Sequence, residues 1–424
     1  MRIPHNSILT AALGLIAVGG ISSAIAAPSF YWRGGNGNWN NNANWADLTQ
    51  WQNTAYNPGN YGVVAFNAPG STATSQTITF DLPSWSTFDG MEFNTAASTS
   101  IIGGSSSNEM RLYKSITVNS GAGAVNIGST VNGQQLNLKL NSEANTWTNN
   151  SSNGLNVQNN LAIGNHSMLT VNGSGNTTVQ GVVSQSQANN VTTPNDHSNG
   201  LTKTGTGTLT LNGNNTYVGV TNVTGGTLAV NGDSSAATGI VKVSGAGTAL
   251  VGNGTVGGNT TLSNGATHSA GGIGTVGLQT FDKAGAATTN LTYGSGSIFS
   301  WTLDTALTQT RGVGYDAVNV TGTLAGSADS LFKVDIGSGS FEDTFWDTAR
   351  SWNDIFMGAN GAIADWTSIF GGGLAAINTN GQGSFSFSGN SLSWNPVYSP
   401  VPEPTGALAG LLLVAGILRR RRTA

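Results

Sequence analysis

Residues 201–230 read LTKTGTGTLTLNGNNTYVGVTNVTGGTLAV. In and just beyond this stretch an aliphatic-x-aliphatic triplet runs twice into Asn-Gly. The copies are Leu209-Thr210-Leu211-Asn212-Gly213 and Leu228-Ala229-Val230-Asn231-Gly232. A two-residue period puts the aliphatic side chains on one face of a strand and the intervening residue on the other. Asn and Gly then turn the chain, because both tolerate positive φ. A strand this short cannot bury its apolar face alone, but stacking it on the equivalent strand of the next unit does so.

The pattern extends outward from this stretch. Three earlier copies are Ile116-Thr117-Val118-Asn119-Ser120, Leu138-Lys139-Leu140-Asn141-Ser142 and Leu169-Thr170-Val171-Asn172-Gly173. Successive offsets are 22, 31, 40 and 19 residues, which reads as units of about 20 with an inserted loop in the 31-residue gap. A meander sandwich also has short, evenly spaced strands. Charge favours the stack: residues 144–281 hold only Asp196, Lys203, Asp233 and Lys242. Like residues in a stack sit about 4.8 Å apart, where equal charges repel and Asn or Thr can hydrogen-bond. The fold class read here is all-β, a parallel β-solenoid.

Composition agrees with that reading. Of 424 residues, 61 are Gly, none is Cys and 8% are charged. Lacking cysteine, the chain has no disulfide scaffold, thiolate metal site or cysteine nucleophile. A net charge of −4 without an internal basic run argues against nucleic acid as a partner.

Residues 201–230 also resemble the autotransporter-associated β-strand repeat. The likeness rests on Leu201, Lys203, Gly205, Gly207, Leu209, Leu211, Gly213, Asn215, Tyr217, Gly219, Thr221, Val223, Gly226 and Leu228. Val220 departs from it, standing where the family commonly has a small residue. Residues 312–322, GVGYDAVNVTG, look like a late rung of such proteins. The resemblance implies a right-handed parallel β-helix of the passenger type. It does not extend to an outer-membrane barrel, for which a long C-terminal series of alternating strands is needed.

Tryptophan marks the flanks. Trp32, Trp39, Trp45, Trp51 and Trp85 precede the repeats, and Trp346, Trp352, Trp366 and Trp394 follow them. A core of stacked Leu, Val and Ile has little room for indole, whereas the open ends of a solenoid need covering. The expected organisation is therefore a β-rich N-terminal cap over 27–110, a solenoid over 111–336 and a C-terminal cap over 337–398. About eleven rungs and an axial length of about 50 Å follow for the solenoid. In the second cap, Phe341, Phe345, Ala349, Trp352 and Phe356 fall on one face of a helix, which predicts a short helix there.

The termini read as addresses. Residues 1–26 form a signal peptide, with Arg2, the apolar stretch 8–18 and cleavage by signal peptidase at Ala24-Ile25-Ala26. Residues 399–424 carry Pro402-Glu403-Pro404, an apolar run over 405–418 and Arg419, Arg420, Arg421 and Arg422. Fourteen helical residues reach about 21 Å, short of a hydrocarbon core of about 30 Å, and the arginines halt translocation. The order closely resembles the PEP-CTERM sorting signal. That resemblance implies transient membrane contact, with Pro402, Glu403 and Pro404 recognised by an exosortase-type protease. Without both addresses the body has 10 basic and 18 acidic residues, net −8.

Catalytic constellations are hard to assemble from what remains. Asp304, Asp316 and Asp335 could pair for glycoside hydrolysis, but each sits singly and reads as a turn or rung-edge carboxylate. Glu342, Asp343, Asp347 and Asp354 could hold calcium, yet read as a solvated face. His166, His197 and His268 lack a second His at ligand spacing. Gly34-Gly35-Asn36-Gly37 opens like a calcium nonapeptide, but Trp39 takes the Asp position. The expectation is a non-enzymatic surface or matrix protein without metal or cofactor. Exopolysaccharide or other surface proteins are its partners, and Trp32, Trp39 and Trp45 form an alternative sugar-binding platform.

Overall fold

The computed structural model describes residues 30–46, 62–66, 75–84, 86–104, 109–142, 144–164, 167–186, 200–285 and 288–397. These form a β-solenoid of three faces around one continuous core. Face 1 carries twelve parallel strands, from Phe30–Trp32 to Leu324–Gly326, and face 2 carries twelve, from Gly37–Asn38 to Leu331–Asp335. Face 3 comes in two runs. Asn137–Leu140, Leu161–Ile163 and Val183–Gln185 form the first, beginning beside the first half of the bent strand Glu109–Val118. The second run climbs from Asp233–Ser234 through Leu278–Phe281 to Phe356–Gly358. Twelve strands at about 4.8 Å make a column of roughly 50 Å.

Alternation decides what points inward. Leu209 and Leu211 are buried while Thr210 between them is half exposed, and Leu201, Thr202 and Lys203 repeat the pattern on face 1. Stacked registers turn these positions into columns, such as Leu209, Leu228, Leu250, His268, Phe299 and Phe332 on face 2. At the corners, side chains replace strand hydrogen bonds. Asn212 Nδ2 donates to Gln180 Oε1 at 2.8 Å, Asn231 Nδ2 to Asn212 Oδ1 at 3.1 Å, and the Asn253 N–H to Asn231 Oδ1 at 3.4 Å. Glycine follows each ladder Asn where the next turn passes very close. A Cβ on Gly232 would collide with the Gly213 carbonyl oxygen.

Four expectations are corrected. The five sequence copies do not lie on one face: residues 116–118 and 169–171 are on face 1, 138–140 on face 3, and 209–211 and 228–230 on face 2. Their offsets therefore mix faces, and the 31-residue gap between Leu138 and Leu169 is not a rung with a loop. True rungs run from 18 residues, Leu250 to His268, to 41, Gly37 to Ile78, so nine rather than eleven face-1 strands fit in 109–336. The coil also does not start at 111. Face-1 strands Phe30–Trp32, Val63–Phe66 and Thr87–Phe93 lie in the stretch read as a cap and continue the same parallel ladder. The stacked core also admits an indole after all, since Trp147 is buried between its register partners Ile116 and Val171.

The predicted helix in the C-terminal cap is the fourth correction, since no α-helix occurs among the described residues. Over 341–358 the chain makes a 3-10 turn, Thr344–Asp347, and strands Arg350–Trp352 and Phe356–Gly358. Backbone demand at the coil's end explains this. The Val318 N–H, on an otherwise open edge, donates to the Ile355 carbonyl, and Arg350–Trp352 pairs antiparallel with Leu392–Trp394. A helix uses its own backbone groups and cannot close such an edge. Ala349 is accordingly exposed, and the buried side chains are Phe341, Trp346, Trp352, Ile355 and Phe356.

Candidate functional site

The stretch 201–230 makes about one and a half turns. Leu201–Lys203 lies on face 1 beneath Thr221–Val223, and Thr208–Leu211 on face 2 beneath Thr227–Val230. Lys203 points inward and is 1% exposed. Its ammonium donates to the carbonyls of Thr204, Gly205 and Gly225, tying the corner of one rung to the next. Burial pushes its pKa down to about 8. Asn215 is fully buried and does the work of a strand on face 3. Its Oδ1 accepts the Val183 N–H at 2.8 Å and its Nδ2 donates to Ser234 Oγ at 2.9 Å. Those two contacts bridge the two runs of face 3. Tyr217, two residues on, is buried as well, with its hydroxyl 2.8 Å from Thr221 Oγ1, and burial raises its pKa.

Comparison with known families isolates this same stretch. Residues 201–230 match the passenger-associated transport repeat. The match covers the two corners where Lys203 and Asn215 join successive turns. Polar residues of the repeat thus serve the coil's interior. A search of curated proteins found no match to the chain.

The three N-terminal tryptophans come together, but inside the molecule. Trp32, Trp39 and Trp45 are 0%, 1% and 3% exposed. Trp45 meets Trp32 and Trp39 edge-on, each at 5.0 Å between centroids, and Trp39 packs on Phe66, Phe80 and Phe88. Trp45 Nε1 donates to the Trp39 carbonyl at 2.8 Å. With ring faces and an indole N–H spent on neighbours, no stacking platform for a sugar is left, and the sequence reading is corrected on that point. Gly34 and Gly35 have φ of 100° and 80° and form a turn, after which Asn36 accepts the Thr77 N–H.

The carboxylates are dispersed. Asp304 accepts the Ala306 N–H in an exposed turn, and Asp335 accepts the Gly337 N–H. Asp316 is fully buried. It accepts from the Gly277 and Thr302 N–H groups at 2.8 and 3.0 Å and contacts the Ser269 hydroxyl, while burial raises its pKa to about 8. Thr302 separates it from Asp335, being the latter's register partner. Asp343 Oδ2 accepts the Ser340 N–H, Asp354 accepts the Tyr315 hydroxyl, and Glu342 and Asp347 are exposed. Among the described residues no three acidic or histidine side chains converge on one point. His166, His197, Trp51, Trp85, Ala24, Ala26, Pro402, Glu403, Pro404 and Arg419 to Arg422 lie outside the described residues. Among those described, no helix is long and apolar enough to cross a membrane.

One groove escaped the sequence reading. It has a volume of about 340 Å³ and lies between the last face-2 strand and the loop 377–380. Lys333, Asp335, Asn378 and Asn380 supply polar groups, and Ile336 and Ile377 supply apolar surface. Asn380 turns the loop at φ of 54°, a left-handed setting that asparagine tolerates. The available signal was the Lys333-Val334-Asp335 alternation, which puts two charges on one side of a strand in a charge-poor chain.

Proposed function

We propose that the chain is an exported, non-enzymatic, adhesin-like scaffold of a bacterial surface or extracellular matrix. What carries this reading is the passenger-type repeat set within an uninterrupted parallel coil. A solenoid of this kind offers a long, rigid, nearly uncharged side whose outward positions are mostly Thr, Asn and Ser, as in the face-1 column Thr146, Thr170, Thr202 and Asn222. Delivery follows from the two ends. Signal peptidase cuts after Ala26, and an exosortase-type protease reads Pro402-Glu403-Pro404 while Arg419 to Arg422 hold the tail at the membrane. Epitope tags placed after Arg422 and inside the coil test this: they should separate on export. Both tags remaining on one membrane-bound chain would refute tail processing.

The groove favours a second reading, carbohydrate binding. A lysine, a carboxylate and two amides around apolar side chains suit the hydroxyls and C–H faces of a neutral sugar. Pull-down on bacterial exopolysaccharides, comparing wild type with Asp335→Ala and Asn378→Ala, separates the two readings. Equal recovery of all three would remove this one.

A further inference from the structure

A single polar layer spans the core from all three faces. His268 on face 2, Tyr293 on face 1 and Gln279 on face 3 are each 0% exposed. The Tyr293 hydroxyl lies 2.5 Å from His268 Nδ1, and His268 Nε2 lies 2.8 Å from Gln279 Oε1. Gln279 Nε2 in turn donates to the Val251 carbonyl at 3.2 Å. This fixes the tautomer. Gln279 Oε1 can only accept, so Nε2 carries the hydrogen and Nδ1 accepts from the Tyr293 hydroxyl. The hydroxyl and imidazole hydrogens are both used, and the ring is neutral.

The ring's immediate packing neighbours are apolar. Phe281 and Phe299 face the imidazole with centroids at 5.4 and 5.3 Å. Register partners of the three residues, Leu250, Phe299, Leu262, Gly326 and Val318, carry no titratable group. The Asp316 carboxyl acts on this layer by raising the Tyr293 pKa further, and it accepts from Gly277, Thr302 and Ser269.

We propose that the His268–Tyr293–Gln279 layer is an acid-sensitive clasp, and that protonation of Nδ1 unfastens the three faces at this rung. Once both ring nitrogens donate, the Tyr293 oxygen must turn to accept. Its own hydrogen is then left among aromatic rings with no acceptor. Burial holds the His268 pKa at about 4, below the ordinary 6.5. The clasp therefore contributes fully above pH 6.5, and its contribution is lost as pH falls from 6.5 toward 4. Asp316 acts with the opposite sign, because its raised pKa of about 8 makes the fold take up a proton between pH 8 and 4. A difference between variants is thus the needed readout.

Denaturant unfolding of the full chain and of His268→Leu, each at pH 7 and pH 5, supplies it. The wild-type folding constant should fall about 20-fold more than the variant's between those pH values. An equal fall in both would overturn the proposal. Should His268→Leu not fold, histidine-labelled wild type followed by NMR decides instead. One histidine should stay neutral down to pH 5, and normal titration of every histidine near 6.5 would overturn the clasp.

Discussion

The middle of the coil and its C-terminal end solve opposite problems. Between Leu201 and Ser263 successive turns stack on others of nearly the same length. Rungs there repeat at 19 to 22 residues, aliphatic side chains fill the core, and asparagines ladder the corner. Past Tyr293 the stack runs out of successors. The face-2 column turns aromatic at Phe299 and Phe332, and Trp346, Trp352, Trp366, Phe370, Phe385 and Trp394 pack over it. Strand direction changes as well: Arg350–Trp352, Gly383–Ser388 and Ser391–Pro396 form an antiparallel sheet. Gly373 and Ala375 bond to Phe332, and the Ile369 carbonyl is held by Ser330, so the last rungs are covered. Repetition works only where a neighbour exists, and the terminus needs large rings and antiparallel strands to hide its edge.

Mutations at the two regions should separate them. Trp394→Ala is expected to do most damage, about 3–5 kcal/mol, because the indole is fully buried against Phe341 and Trp346 and donates to the Trp346 carbonyl. Urea unfolding measures it, and a loss below that of a mid-coil Leu228→Ala would reverse the ranking. Next comes Asn215→Ala at roughly 2–3 kcal/mol, since the Val183 N–H is left buried without its acceptor.

Lys203→Met should cost about 1–3 kcal/mol through three carbonyls stripped of their donor. It also carries a pH signature. Because the folded pKa of about 8 lies below the unfolded 10.5, wild-type stability should rise between pH 8 and 10.5, and the variant should lack that rise. A parallel pH profile in both proteins would show that Lys203 titrates normally. Smallest is Asn231→Ala, about 0.5–1 kcal/mol, because its amide lies at the exposed corner where water can replace Asn212. A thermal shift larger than that of Asn215→Ala would show that the ladder, not the buried bridge, holds the corner.

Much of this was legible in the residues. Alternation at Leu209–Leu211 and Leu228–Val230 names the inward side chains, and these two strands are direct register partners. The low charge between 144 and 281 follows from stacking. Spacing misled where copies of one motif occupy different faces, as at Leu138 and Leu169, since a three-sided rung repeats its strand pattern within a turn. Helical spacing of Phe341, Trp352 and Phe356 misled for another reason: open ladder edges outweigh local periodicity. The tryptophans announced an enclosed aromatic cluster rather than a surface, because rings of that size are most stable away from water.

By itself, then, the sequence determined the strand length, the inward and outward positions and the need to stack, all of which follow from a local period of two. Tertiary structure alone decided which face each strand joined, where Lys203, Asn215 and His268 find partners, and how the ends are closed. Those choices depend on residues 11 to 48 positions apart in the chain meeting in space, and no local pattern encodes such a meeting.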